Sequence, residues 1–171
     1  MKTGHPETSS KTAHHLASAE GWLLLHNPIE ALGELQCIPL EDRKDLLFLE
    51  LNWRLHADLQ EWEEALKVAI QLISEHPSDT SGYILRSYAI RRSKEGSLEA
   101  ASQALLEAAA KFPKESIIPY NLACYAAQLG NLKEARDFLR MALELGDRQQ
   151  MIRMARRDED LKPLWSELIK G

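Results

Sequence analysis

The sequence predicts an all-α protein built from helical hairpins that repeat along the chain. Three observations carry this. Four alanines, Ala31, Ala65, Ala101 and Ala135, recur at spacings of 34, 36 and 34 residues. Four and seven positions after each stand further apolar or small residues: Leu35 and Ile38, Ala69 and Leu72, Leu105 and Ala108, Leu139 and Ala142. Offsets of four and seven mark one stripe of a helix. Turn formers alternate between the stripes, with Gly96 and Gly130 ahead of one helix and Pro77 and Pro113 behind it.

The elements follow in order. Residues 1–12 are polar and read as a disordered tail. The first hairpin covers about residues 13–38. In it Asn27-Pro28-Ile29-Glu30 has the form of a capping box, with proline at the first helical position. The second runs from about Leu46 to Pro77. The third, Gly82 to Pro113, breaks at Gly96, where glycine accepts the left-handed conformation, and restarts on the N-cap Ser97. The fourth repeats this with Gly130 and Asn131. Ala89 opposite Ala101, and Ala123 opposite Ala135, are the small pairs expected to let the two helices of a hairpin cross closely. Residues 13–145 thus form the repeat domain, and 146–171 form a C-terminal cap. Within the cap, 148–157 reads as a helix, Asp158-Glu159-Asp160 as a break, and Leu161–Ile169 as a second helix carrying Trp165, which is expected to anchor on the final hairpin.

This pattern resembles the tetratricopeptide repeat, a 34-residue helical hairpin. Leu122, Ala123, Gly130, Ala135 and Ala142 stand where that motif takes leucine, a small residue, glycine, alanine and alanine. The second unit departs from it by placing Trp53 where the motif takes a small residue. The resemblance implies a right-handed superhelical solenoid of antiparallel helix pairs, with about three to four hairpins and capping helices. It also implies a concave groove lined by the first helix of each hairpin. Carried over to this sequence, the groove takes Tyr83, Arg86, Ser87, Ile90 and Lys94 from the third unit and Tyr120, Asn121, Cys124 and Gln128 from the fourth. An asparagine amide supplies donor and acceptor together, as an extended peptide backbone requires. Arg86 is suited to a carboxylate. The family's carboxylate clamp needs a different residue at Ile90, so recognition of chaperone C-termini is not expected. In the second unit, Glu50, Arg54 and Asp58 follow at four-residue steps, which suits ion pairs along one helix.

Composition sets outer limits. The chain has 171 residues, 44% apolar and 27% charged, with a formal net charge of −5. That length suffices for a core without staples. Its acidic balance does not suit nucleic acid or an anionic membrane. Two cysteines, Cys37 and Cys124, supply neither a disulfide framework nor a zinc site. Neither a leader pattern nor an apolar run of ~20 residues occurs, so a cytoplasmic location is expected. Charge is uneven: residues 1–80 carry six Lys/Arg and 14 Asp/Glu, residues 81–171 carry 15 and 12. Such polarity orients a polar peptide or a second copy of the chain.

No paired histidine spacing, HExxH or glycine-rich phosphate loop occurs, so no metal, cofactor or catalysis is expected. The functional expectation is a non-catalytic protein–protein interaction module (a scaffold, adaptor or co-chaperone) that holds an extended peptide or a partner helix in its groove. The alternatives are a unit that forms homo-oligomers through its end faces and a subunit of an enzyme complex.

Overall fold

The computed structural model describes residues 10–168, and every element among them is helical. The expected tail over 1–12 therefore lies outside the described residues as far as position 9, while Ser10, Lys11 and Thr12 already belong to a helix. The chain divides into two compact units, Met1–Ala89 and Ile90–Gly171.

The first unit holds α1 (Ser10–Leu24), α2 (Pro28–Gln36), a 3-10 turn (Leu40–Asp42), α3 (Leu46–Asp58), α4 (Trp62–Glu75) and most of α5 (Ser81–Arg92). α1 pairs with α2, α3 pairs with α4, and both helices of the first pair lie on α3. One apolar core joins them, built from Leu16, Leu23, Leu35, Leu49, Leu55 and Leu72 among others. Each such leucine removed from water contributes roughly 1.5–3 kcal/mol. α3 starts where the Asp45 carboxylate accepts from the Leu47 and Phe48 amides, at 2.9 and 3.4 Å. α4 stops at Glu75, two residues before Pro77. Gly82 of α5 lies against Ile73 and Leu72 of α4.

The second unit continues with α6 (Leu98–Lys111), α7 (Ile117–Gln128), α8 (Leu132–Leu145), α9 (Arg148–Ala155), a 3-10 segment (Glu159–Leu164) and α10 (Trp165–Leu168). α6 packs on α7, α7 on α8, and α8 on α9. α8 shows why the sequence folds this way. Ala135, Leu139 and Ala142 form one buried stripe, while Lys133, Glu134, Arg136 and Asp137 face water. All four repeat alanines are fully buried.

The turns explain the uneven repeat length. Between α1 and α2, α3 and α4, and α7 and α8 the turn has one form. Its central residue is left-handed: His26 (φ 55°), Gln60 (φ 60°) and Gly130 (φ 80°). The next amide donates to the carbonyl five residues back, as Asn27 to Trp22, Glu61 to His56 and Asn131 to Ala126, at 2.8–2.9 Å. The α5–α6 turn is two residues longer, which produces the 36-residue spacing. Gly96 is not left-handed, contrary to expectation. It is required for space, because a Cβ there would lie 1.7 Å from the Ile90 carbonyl oxygen. Ser97 caps α6 as expected, accepting from the Ala100 amide at 3.0 Å.

The longer turn also shifts register. α5 matches α7 at an offset of 36, since buried Gly82, Ser87 and Ala89 then fall on buried Ile118, Ala123 and Tyr125. Ser87, not Ala89, stands at the place of Ala123. The cap differs as well. Residues 159–164 wind as 3-10 helix rather than α-helix, with Pro163 inside the segment and unable to donate to an α-helical bond. Leu161 and Leu164 are the residues that enter the core, whereas Trp165 is half-buried and donates its indole N–H to the Ala155 carbonyl at 2.8 Å.

Candidate functional site

Two regions present the first-helix face on which the sequence places the groove. In the second unit that face belongs to α7, and it is covered. The 3-10 segment lies on α7, and Leu161 and Leu164 join Tyr120, Cys124 and Ala127 in one cluster. Asp158, the N-cap of that segment, makes the polar contact. Its Oδ2 accepts from the Tyr120 hydroxyl at 3.0 Å and the Cys124 thiol at 3.4 Å, while Oδ1 accepts from the Asp160 amide at 3.1 Å. Arg91 donates to the Asp160 carboxylate at 3.1 Å, and its guanidinium lies 5.6 Å from the Tyr125 ring centroid. Burial and the adjacent Asp158 carboxylate push the Cys124 thiol far above the usual thiol range, which holds it protonated.

The expected groove residues therefore fare unequally. Tyr120, Asn121 and Cys124 are buried, and Gln128 is exposed. On the α5 side, Ser87 is buried and donates its hydroxyl to the Ile84 carbonyl at 2.8 Å. Tyr83 is half-buried and donates to the Pro77 carbonyl at 3.3 Å. Arg86 and Ile90 are half-buried and Lys94 is exposed. The two-residue shift puts Ile84 and Leu85, not Arg86 and Ser87, at the positions of Tyr120 and Asn121.

In the first unit the equivalent face is open. A cleft of about 310 Å³ lies between α3 and α5, lined by Glu50, Trp53, Arg54, Ser81, Ile84 and Leu85. Its exposed wall is almost wholly apolar, so Glu50 and Arg54 border it mainly through their aliphatic stems. Arg54 does not join an ion-pair ladder with Glu50 and Asp58; it donates to the Leu23 carbonyl at 3.2 Å. Trp53 packs on the first core as a half-buried residue, and its indole Nε1 is buried without a hydrogen bond. Leu51 and Leu55 turn inward beside it, which is how α3 accommodates a tryptophan at a small-residue position. The sequence reading passed over Ile84 and Leu85. The 36-residue spacing was the signal for them, once assigned to the turn ahead of α6.

Among the described residues no group of three or more His, Cys, Asp or Glu side chains is placed to hold a metal ion. No described helix is long and apolar enough to cross a membrane.

No family model matches the sequence, and no curated protein matches it significantly. Solved structures do resemble the chain. TTC0263 of Thermus thermophilus, a thermophilic tetratricopeptide-repeat (TPR) protein, superposes with a TM-score of 0.71 at 21% identity, over 92% of this chain and 82% of that one. The fold is TPR-like. MamA from Desulfovibrio magneticus RS-1, beginning at residue 41, gives a TM-score of 0.64 at 17% identity over 95% and 96% of the two chains. A double mutant of MamA RS-1 gives 0.63, also at 17%.

Proposed function

We propose that this chain is a protein–protein interaction module with no chemistry of its own. It takes a large apolar side chain from a partner segment into the cleft between α3 and α5. The observation that carries this reading is the cleft itself: open, almost wholly apolar, and placed on the first-helix face of a TPR-like fold. Trp53, Ile84 and Leu85 supply the apolar contact, and Glu50 and Arg54 stand beside it to orient a polar backbone or a neighbouring charge. The reading retains the first-helix face of the sequence analysis. It moves the α5 members from Arg86 and Ser87 to Ile84 and Leu85. A non-catalytic role is supported by Cys124, a buried thiol held protonated and so a poor nucleophile.

Selection of displayed peptides against the full chain tests it, with affinities read by fluorescence anisotropy. Selected sequences should share one large apolar residue, and Leu85→Glu should weaken them by about 30-fold or more with an unchanged far-ultraviolet spectrum. Peptides that bind the Leu85→Glu chain as well as the parent would remove the cleft from consideration.

A further inference from the structure

At Leu24 and Ile29 the first hairpin exposes apolar residues where the other hairpins carry polar ones, while Leu25 stands where the two other three-residue turns also carry leucine, Leu59 and Leu129. Leu24, Leu25 and Ile29 gather at the α1–α2 turn with 63%, 71% and 74% of their surface in water, and Leu32 follows Ile29 on the same face of α2. The places corresponding to Ile29, two before each repeat alanine, hold Glu63, Glu99 and Lys133. The places corresponding to Leu24 in the two other three-residue turns hold Asp58 and Gln128. The hairpin does not need apolar residues at Leu24 and Ile29 in order to fold, so their exposure at this turn points to a contact.

The charge around the patch says what kind of surface covers it. Residues 20–42 contain five acidic residues and no lysine or arginine. The opposite composition occurs in two stretches. Residues 80–94 hold Arg86, Arg91, Arg92 and Lys94 with no acid, but Arg86 and Arg91 are half-buried and Arg91 is bonded to Asp160. Residues 148–157 hold Arg148, Arg153, Arg156 and Arg157 with no acid, and all four are exposed. Ahead of this basic stretch, Met141 and Leu145 of α8 are 48% and 42% exposed, one helical turn apart, with the exposed acids Glu144 and Asp147 beside them. An apolar turn among acids thus stands in the first unit, and an apolar pair followed by an arginine-rich helix stands in the second.

We propose that a second copy of this chain covers the patch. The α1–α2 turn of one copy docks on the α8–α9 end of the next, with Leu24 and Ile29 against Met141 and Leu145 and the acids facing the arginines. Such a contact joins two different surfaces, so each copy keeps one of each free. The assembly grows head to tail until it closes or runs on. This goes beyond the proposed cleft and does not depend on it.

Sedimentation of the full chain from about 1 to about 100 µM tests the proposal. The mean mass should rise above the 19.4 kDa monomer with concentration, and association should weaken about tenfold or more between about 0.05 and about 0.5 M salt. Ile29→Lys, which copies the residue type of the fourth hairpin, should leave a monomer. So should the pair Arg153→Glu and Arg157→Glu. Mixing these two defective chains should restore a 1:1 complex, because one intact surface of each kind remains. A parent chain that stays monomeric throughout would overturn the proposal. Association indifferent to both variants would do the same, as would a mixture that stays monomeric, the behaviour of a contact between like surfaces. Leu85→Glu should leave association unchanged, so failure here is separable from failure of the cleft.

Discussion

The same helix face is open in the first unit and closed in the second. On α3 and α5 it frames a cleft; on α7 it is covered by the chain's own 3-10 segment, with Asp158 on Tyr120 and Cys124. A stack of hairpins must end somewhere, and its last apolar face has to be shielded from water. Here the shielding segment occupies positions at which the family resemblance implies ligand contact. Equivalent positions along a repeat are therefore not equivalent in availability.

Substitutions beneath the cover should therefore cost more stability than substitutions in the cleft. The largest expected effect is at Leu161. Leu161→Ala removes a fully buried side chain and should cost about 2–5 kcal/mol in urea unfolding. Leu85→Ala, at the half-open wall, should cost only about 1 kcal/mol; equal losses would erase the distinction. Next is Tyr120→Phe, which deletes a hydroxyl bonded to a carboxylate. A loss of about 2 kcal/mol is expected by the same measurement, and a loss near zero would mean that Asp158 is not held by α7.

Alkaline titration sharpens the contrast further. The Cys124 thiol is raised in the folded chain, so the unfolded chain ionises first, above about 8.5. Below that pH the contribution is fully present. Above it the folded state holds the extra proton and stability falls by up to about 1.4 kcal/mol per pH unit. Comparing melts of the parent and Cys124→Ser between neutral and alkaline pH isolates this slope. Identical slopes would show that the thiol is not shielded. The smallest expected effect concerns the turns. Gln60 in the first unit holds the left-handed conformation that Gly130 holds in the second. Gln60→Gly should raise the melting temperature slightly, by about 0.5–1 kcal/mol in stability, and a loss would mean that the glutamine side chain holds the turn.

Much of the fold was legible because repetition reports on itself. Ala31, Ala65, Ala101 and Ala135 are fully buried, Pro77 and Pro113 follow the ends of α4 and α6, and Ser97 caps α6. The candidate site was less legible. The spacing of 36 shows that two residues are added but not where they are added. Placing them ahead of α5 rather than after it moves the groove by two positions, from Ile84 and Leu85 to Arg86 and Ser87. Trp53 posed the same difficulty: a large residue at a small position is read as a misfit until the inward turn of Leu51 and Leu55 is seen.

By itself the sequence determined the helices of the hairpins and their pairing, since these follow from periodicity, caps and turn residues within a few turns of chain. Only the tertiary structure decided which repeated face stays open. That choice rests on a contact across 38 positions, between Tyr120 and Asp158, and on the direction a 3-10 segment takes after α9. Local pattern carries no record of either, because burial is a property of what arrives from elsewhere in the chain.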